Sequence, residues 1–334
     1  MENDFFKIEK SNGISTIWID FKNEKMNIVS PTLVDQFENI FRSINKDDSI
    51  KGAIIISAKP DFIAGADIKA FKADNIGDFQ PISKKGHELL FMIENSKKPI
   101  VSAINGTCYG LGVEMSLACQ ARICSDDPRT KLALPEVKLG LLPGGGGTQR
   151  LPKLVGLQKS LDIMLTGKNI YPKQAKKMGL VDEVVNKNKL HSASTKLVLK
   201  LIKDGKLKRK VKKSTLNKFL DHTLLGRKIV FNAARKKVGK LTQGNYPAPN
   251  EIINCVEIGI NKGSDNGYNA EVIKFEELIL SDVSKALRGI FFKMSDKKKN
   301  PYSTTPKKIK RLGILGAGFM GAGITEISIN NNVD

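Results

Sequence analysis

The segment Gly110-Leu111-Gly112-Val113-Glu114-Met115 combines residues that could do chemistry at the start of a helix. It follows a predicted strand and a turn, so unpaired backbone N–H groups and the positive end of the helix dipole face whatever lies there. That environment suits a developing negative charge. A Glu in a first helical turn is also favoured by the dipole alone, so Glu114 has a purely structural interpretation as well.

Two further segments have similar features. Ile63-Ala64-Gly65-Ala66-Asp67-Ile68 follows a predicted strand with small residues that let a ligand approach the backbone closely, or that simply form a tight turn. Leu134-Pro135-Glu136-Val137 places a second carboxylate ahead of Leu142-Pro143-Gly144-Gly145-Gly146-Gly147-Thr148-Gln149-Arg150. This glycine run lacks the Gly-Lys-Ser/Thr ending of a P-loop, which excludes that kind of nucleotide site.

Together, in order and spacing, these segments resemble the three signature segments of the crotonase, or enoyl-CoA hydratase/isomerase, superfamily. Farther along, three more segments resemble the α-subunits of fatty-acid oxidation complexes, the multifunctional or trifunctional proteins. They are Tyr246-Pro247-Ala248-Pro249, Gly263-Ser264-Asp265 and Leu315-Gly316-Ala317-Gly318-Phe319-Met320-Gly321-Ala322-Gly323. The resemblance covers nearly the whole chain.

The resemblance implies an enoyl-CoA hydratase of fatty-acid β-oxidation, which adds water to a trans-2-enoyl-CoA and gives a 3-hydroxyacyl-CoA. Such a reaction needs a base for the water, an acid for the α-carbon, and stabilisation of negative charge on the thioester oxygen. By resemblance, Glu114 and Glu136 are the acid/base pair, and the backbone N–H groups of Ala66 and Leu111 form the oxyanion hole. No cofactor is expected for this reaction. The residues expected to meet the acyl-CoA substrate are Ala64, Gly65, Asp67 and Ile68, with Lys25 and Lys69 as phosphate partners or plain surface lysines.

Leu111 departs from the family pattern, which usually has a third glycine at this position. A backbone donor tolerates a side chain there if Leu111 adopts the required backbone angles. If the position needs a positive φ, we expect strain of roughly 1–2 kcal/mol.

The elements around these segments predict an α/β architecture. Short β-branched runs predict strands at Gly13–Phe21, Gly52–Ser57 and Pro99–Ile104, and apolar residues at helical spacing predict helices at Pro31–Ile44 and Ile82–Glu94. Strands that alternate with helices form layered α/β folds. By resemblance, the first domain, residues 1–188, is a crotonase-like spiral of β-β-α turns.

The rest of the chain is expected to hold a helical linker region, residues 189–300, and the start of a third domain, residues 301–334. Lys297 to Pro301 is a linker by composition, and Lys310–Leu315 is a predicted strand that leads into Gly316, Gly318 and Gly321. Glycines with this spacing, between a strand and a helix, indicate a dinucleotide-binding Rossmann motif. The acidic residue expected about 20 positions later is missing in context, because Asp334 precedes any second strand. We therefore expect an incomplete, truncated Rossmann βα unit and no NAD-dependent 3-hydroxyacyl-CoA dehydrogenase activity in this chain. The resemblance implies that activity, with NAD, for the full-length parent.

The amino-acid composition limits which cellular locations and binding partners are expected. The net charge of +21 reflects 55 Lys and Arg against 34 Asp and Glu, and its densest run, Lys196 to Lys213, has no aromatic residues for stacking on bases. We therefore expect no nucleic-acid partner. The apolar stretches are shorter than the roughly 18 residues of a membrane span, the start is acidic, and the four cysteines have no CxxC spacing. These features predict a cytoplasmic protein with reduced thiols, no transmembrane segment and no metal site.

Other functions stay open. The same pocket could shift a double bond from position 3 to position 2, an isomerase reaction that needs one well-placed Glu and that the family's α-subunits often also carry out. A non-catalytic scaffold that binds a thiolase β-subunit through the helical region is the alternative from another class. We expect an oligomer, and the sequence leaves the acyl chain length undetermined.

Overall fold

The computed structural model describes residues 4–22, 24–205, 207, 215–297 and 308–334. In chain order its strands are β1 (Phe6–Ser11), β2 (Ile14–Ile19), β3 (Gly52–Ser57), β4 (Ile100–Ile104), β5 (Thr107–Tyr109), β6 (Ala121–Ser125), β7 (Lys131–Ala133) and β8 (Glu183–Val185). Six of them form a sheet in the order β1-β2-β3-β4-β6-β8. Only β1 runs antiparallel to its neighbour in this sheet, and β5 and β7 form a separate parallel pair. The predicted α/β architecture is confirmed.

Both faces of the larger sheet are covered. The helices of the α/β part are α1 (Pro31–Lys46), α2 (Gln80–Glu94), α3 (Leu111–Ala118), α4 (Gly147–Val155), α5 (Leu157–Thr166), α6 (Pro172–Met178) and α7 (Leu190–Asp204). All six residues of β3 are buried: Ile54 and Ile56 belong to a core shared with Leu197 and Val198 of α7, and Ile55 belongs to the larger core on the other face. A strand buried on both faces reads as a continuous apolar run, which is why the sequence predicts it.

The helices α1 and α2 and the strands β2, β3 and β4 confirm the elements predicted for this part, with ends that shift by a few residues. The strand β1 was not predicted. Its residues are largely exposed and only Phe6 is buried, so the strand has a weak hydrophobic pattern.

The predicted helical region is also confirmed where the structure describes it. Its helices are α8 (Thr215–His222), α9 (Leu224–Thr242), α10 (Pro247–Lys262), α11 (Ser264–Leu280) and α12 (Asp282–Lys297). Buried side chains such as Phe231, Ile252 and Phe275 belong to the same core as the α/β elements. The chain up to Phe291 therefore forms one compact unit.

Residues Phe292–Asp334 form a second unit, in which the predicted helix after the glycine motif is α13 (Phe319–Asn330). The prediction of a strand at Lys310–Leu315 was wrong, because the structure has no strand at these residues. A strand requires a run of pairing, and here only Lys310 and Leu312 exchange backbone hydrogen bonds with Asp334. Lys298 to Pro301 of the predicted linker, and most of the basic run beyond Asp204, lie outside the described residues.

None of the helices in the described part of the chain has both the length and the apolar character that a membrane span needs. All four cysteines are buried free thiols, as the sequence predicts.

Candidate active site

The three segments that carry the signature motifs lie next to one another in the structure. Backbone hydrogen bonds join Phe62 N to Thr107 O and Tyr109 N to Ile63 O, so the segment before Ala64 runs beside β5. Gly110 N donates to Ala133 O, which brings the end of β7 to the start of α3. The motifs around Ala66, Glu114 and Glu136 thereby converge, although they are far apart in sequence.

These segments line one pocket with an empty volume of about 940 Å³. The predicted residues Ala64, Gly65, Ala66, Asp67, Ile68, Leu111, Glu114 and Glu136 all belong to its wall. Much of the remaining wall is apolar, with Phe71, Phe79 and Phe275 in mutual ring contact. The pocket therefore joins two carboxylates to a largely apolar wall, which is the usual character of a small-molecule site.

Glu114 lies in the first turn of α3 and is only 2% exposed. Its Oε1 accepts hydrogen bonds from the backbone N–H groups of Gly145, at 2.7 Å, and Gly147, at 2.8 Å. Burial, followed by the charge of the nearby Glu271, raises the pKa of Glu114 to about 7, although the two N–H donors and His87 oppose the rise. A carboxyl group with this pKa exchanges a proton near neutral pH.

Glu136 begins a short 3-10 helix, Glu136–Leu139, and its Oε1 would lie 2.9 Å from a Cβ placed on Gly110. Its Oε2 is buried and has no hydrogen-bond partner within the described ranges. Burial and the neighbouring Glu114 carboxylate raise the pKa of Glu136 well above its ordinary value. Two carboxyl groups that repel each other in a dry pocket tend to share one proton, and the environment favours Glu136 as its carrier.

The N–H groups of Ala66 and Leu111 also lie at the pocket wall. Leu111 is the first residue of α3, so its N–H has no acceptor within the helix, and neither N–H donates to a protein acceptor in the part of the chain described. Leu111 has no positive φ, because Gly110 takes that conformation, with φ 51°. The strain considered for Leu111 therefore does not arise.

The glycine run after Glu136 is explained by close packing around Glu114. A Cβ on Gly145 would lie 2.7 Å from Oε2 of Glu114, and a Cβ on Gly147 would lie 2.8 Å from Oε1. A Cβ on Gly144 would meet the Phe275 ring at 2.7 Å. Glycine at these positions lets the backbone N–H groups reach the carboxylate.

Two buried residues at this loop were missed by the sequence reasoning. Glu271 of α11 accepts hydrogen bonds from Gly146 N at 2.5 Å, Thr148 N at 3.3 Å and the Thr148 hydroxyl. His87 of α2 lies 3.2 Å from Glu271 Oε1 and 2.8 Å from Gly144 O. Each has the sequence signature of an ordinary helix residue, so no local pattern could have identified them.

The other residues predicted to contact the substrate lie farther from the two carboxylates or on the surface. Asp67 Oδ1 accepts the N–H of Lys69 and so caps a single 3-10 turn, Ile68–Ala70. Lys25 and Lys69 are exposed and are not among the described side chains that line the pocket. Among the described residues, no group of three or more His, Cys, Asp or Glu side chains could hold a metal ion.

Known proteins resemble this chain both in sequence and in fold. The family model described as "Enoyl-CoA hydratase/isomerase" matches residues 9–237, more than two thirds of the chain. The chain belongs to the enoyl-CoA hydratase/isomerase family. Among solved structures of similar fold are an enoyl-CoA hydratase from Mycobacterium avium subsp. paratuberculosis K-10 and one from Bacillus anthracis. The first has a TM-score of 0.60 and 17% identity and covers 86% of this chain and 99% of its own. The second has a TM-score of 0.55 and 24% identity and covers 89% and 98%. These likenesses confirm the predicted crotonase-like fold.

Some relatives have higher sequence identity to this chain and are about twice its length. The proteins named "Fatty acid oxidation complex subunit alpha" from Shewanella sp. (strain MR-4) and Shewanella putrefaciens (strain CN-32 / ATCC BAA-453) are each 46% identical to this chain over 333 residues. The match covers 98% of this chain but 46% and 47% of those relatives. The chain thus spans about half the length of the curated relatives it matches.

The glycine motif of the second unit lies outside the stretch matched by the family model. Gly318 precedes the first residue of α13, Gly316 has a φ of 106°, and a Cβ on Gly321 would collide with the Gly316 carbonyl. These features fit the phosphate-binding turn of a dinucleotide site. The described residues offer no second strand to carry an acidic partner for the ribose, so the fit to NAD covers only that turn.

Proposed function

We propose that this chain is an enoyl-CoA hydratase of fatty-acid β-oxidation, which converts a trans-2-enoyl-CoA and water into a 3-hydroxyacyl-CoA. One observation carries the proposal: the buried carboxyls of Glu114 and Glu136 share a pocket with the N–H groups of Ala66 and Leu111. Membership of the enoyl-CoA hydratase/isomerase family and the name of the longer relatives support it.

The environments of the two carboxyls suggest their roles. Glu114 accepts two backbone N–H groups, which favours its charged form, so it is the base that takes a proton from water. Glu136 has a partnerless buried oxygen and a pKa raised by burial and by Glu114, so it keeps its proton and is the acid. As the water oxygen bonds to C3, the proton of Glu136 goes to C2. Return of the proton from Glu114 to Glu136 restores the starting state.

Negative charge builds on the thioester oxygen during this addition. The N–H groups of Ala66 and Leu111 stabilise it, and Leu111 adds the positive end of the α3 dipole. Loss of one such donor typically costs about 10²–10³-fold in rate. The acyl tail lies against Phe71, Phe79 and Phe275, whose rings cover an apolar part of the pocket wall.

The CoA portion of the substrate contacts the backbone of the segment Ala64–Ile68, as the sequence predicts. Lys25 and Lys69 are exposed, and we propose them as partners of the CoA phosphates.

The test is hydration of a 2-enoyl-CoA in D₂O. We expect loss of the enoyl absorbance and a 3-hydroxyacyl-CoA that carries one deuteron at C2 and a solvent-derived hydroxyl at C3. A purified, folded chain that leaves the enoyl thioester unchanged would refute the proposal and would favour the non-catalytic scaffold.

Isomerisation of 3-enoyl-CoA to 2-enoyl-CoA is a second activity of the same site. The unpartnered oxygen of Glu136 favours it, because in the fraction of molecules in which Glu136 is ionised this single carboxylate can remove a proton from C2 and return one at C4. We expect Glu136→Gln to lose hydration and isomerisation together, whereas Glu114→Gln loses mainly hydration. Equal effects of both variants on both reactions would contradict this assignment.

The proposal extends to the setting of the enzyme. As in the relatives named for a complex, the chain would bind a partner subunit, by resemblance a thiolase β-subunit, and the helical region would provide the contact. Exposed Leu224, Leu225, Ile229 and Leu241 of α9 offer apolar surface for it. Co-purification with a thiolase, and its loss when these residues become serine, would test the contact. A cytoplasmic location stays a prediction.

The proposal excludes dehydrogenase activity for the chain as it stands. Its glycine motif presents a phosphate-binding turn, but Leu315, Phe319 and Met320 beside it are largely exposed rather than packed in a core. Formation of NADH from a 3-hydroxyacyl-CoA by the purified chain would contradict this exclusion.

A further inference from the structure

The loop Gly144–Thr148 lies between two buried carboxylates and donates to them in alternation. Gly145 N and Gly147 N donate to Glu114, whereas Gly146 N and Thr148 N donate to Glu271. Successive backbone N–H groups of this loop therefore donate to Glu114 and Glu271 in turn. The position of the Glu114 carboxylate depends on a loop that Glu271 of α11 holds from its other side.

His87 completes this arrangement. Its Nε2 lies within reach of Glu271 Oε1 and of Gly144 O, and both are acceptors, so Nε2 must carry the hydrogen. Burial lowers the pKa of His87, but the hydrogen bond and charge of Glu271 outweigh that effect, and the pKa is raised overall. His87 and Glu271 thus form a buried pair whose side chains are 4% and 0% exposed, and Glu271 favours the protonated form of His87.

We propose that His87 and Glu271 are positioning residues for Glu114: together they fix the loop that donates to its carboxylate, and His87 balances the negative charge of Glu271 beside it. This inference rests on the proposed function, because it assigns Glu114 to the reaction. It also makes α11, from the helical region, part of the catalytic apparatus.

The other charged groups around the loop are already partnered or belong to the reaction. Arg150 donates to Gly145 O at 2.9 Å and pairs with Glu94, also at 2.9 Å. The Tyr268 ring contacts His87 and Arg150, and burial raises the pKa of Tyr268 above its ordinary value. Glu136 is the acid of the proposed reaction. Of the described charges near Glu114, His87 is therefore the one that offsets Glu271.

The decisive experiment compares the pH profiles of kcat/KM for three variants. His87→Gln removes the positive charge but keeps a donor, while the backbone N–H groups of Gly146 and Thr148 still donate to Glu271. We expect the uncompensated carboxylate to move the acidic limb, which reports ionisation of Glu114, up by about 1 pH unit. In the double variant His87→Gln/Glu271→Gln no charge remains, so the limb should return to within a few tenths of a unit of its original position.

Glu271→Gln alone should leave the limb at or below its original position, because His87 either keeps its charge or becomes neutral. Glu276→Gln is the matched control: this Glu is also buried on α11, but it accepts the N–H groups of Gly77 and Phe79 at the start of α2. It should lower the thermal stability and leave the limb in place. Restoration by the double variant separates charge balance from simple damage to the fold.

The proposal is overturned if His87→Gln leaves the limb unmoved, if the double variant stays shifted, or if Glu271→Gln moves the limb upward. Titration of the Glu114 carboxyl by ¹³C NMR, identified by its absence in Glu114→Gln, gives the same comparison without turnover. If the chain hydrates nothing but the Glu114 titration follows the expected pattern, the proposed function fails and the charge balance stands. If hydration is normal and neither readout moves, only this inference fails.

Discussion

Replacement of Glu114 by Gln should stabilise the protein, and the gain should grow with pH. The pKa of Glu114 is raised from 4.5 to about 7 in the folded state, chiefly by burial. Between these values the unfolded chain releases the proton while the folded chain retains it, so the folded state loses stability as the pH rises. Gln keeps an oxygen that can accept from Gly145 and Gly147 but never becomes charged.

The expected size follows from the same values. A difference of one between folded and unfolded pKa corresponds to about 1.4 kcal/mol, so the shift of Glu114 corresponds to about 3 kcal/mol at alkaline pH. Most of this difference develops between pH 5 and pH 8, so the advantage of Glu114→Gln should increase by about 2–3 kcal/mol over that interval.

Urea denaturation at pH 5 and pH 8 measures the free energy of unfolding of both proteins. Glu88→Gln is a suitable control, because Glu88 lies exposed on α2 next to His87 and should show no such pH-dependent gain. If Glu114→Gln is no more advantageous at pH 8 than at pH 5, the carboxyl of Glu114 is not held in the raised state on which the acid/base assignment depends.

Three further outcomes are expected. Leu111→Pro should reduce hydration by about 10²–10³-fold while the protein stays folded, because proline is tolerated at the first position of a helix but removes the N–H. Leu111→Gly should stay active, and a fully active Pro variant would exclude this N–H from the oxyanion hole. Gly110→Ala should destabilise the protein by about 1–3 kcal/mol in thermal unfolding and slow turnover, since φ is positive there and the new Cβ would lie 2.9 Å from Glu136 Oε1. Gly86→Ala in α2, where a Cβ meets nothing within 4 Å, should show neither effect. The acidic limb of kcat/KM should fall near pH 7, where Glu114 becomes protonated and can no longer act as the base. A profile that is flat from pH 5 to pH 8 would contradict that role.

Local patterns predicted much of the α/β part. The apolar run of β3 and the helical spacing of α1 are properties of a few adjacent residues, and both elements formed as expected. The strand expected at Lys310–Leu315 failed because strand formation depends on a partner, which a local pattern does not reveal. The strand β1 was missed for the opposite reason: its partner β2 defines it, although its own sequence is mostly polar.

The site residues likewise fall into those that the sequence predicted and those that it missed. Motif resemblance identified Glu114, Glu136 and Leu111, because each lies in a short contiguous segment, and the structure brings all three to one pocket. It gave no indication of His87 or Glu271, which act through a loop distant from both in sequence. Their role depends on tertiary packing of α11 against the glycine loop, and so does the charge environment of Glu114.

The central claim is that Glu114 and Glu136 act as a pair in hydration, and the turnover of a 2-enoyl-CoA by Glu114→Gln and Glu136→Gln tests it most directly. Both changes preserve the shape of the side chain, so circular dichroism should show the fold intact. We expect each variant to hydrate at least about 10²-fold more slowly than the unchanged chain, and the double variant to be little slower than either single variant, as for residues that act as a unit. Near-normal hydration by either folded single variant would contradict the paired mechanism.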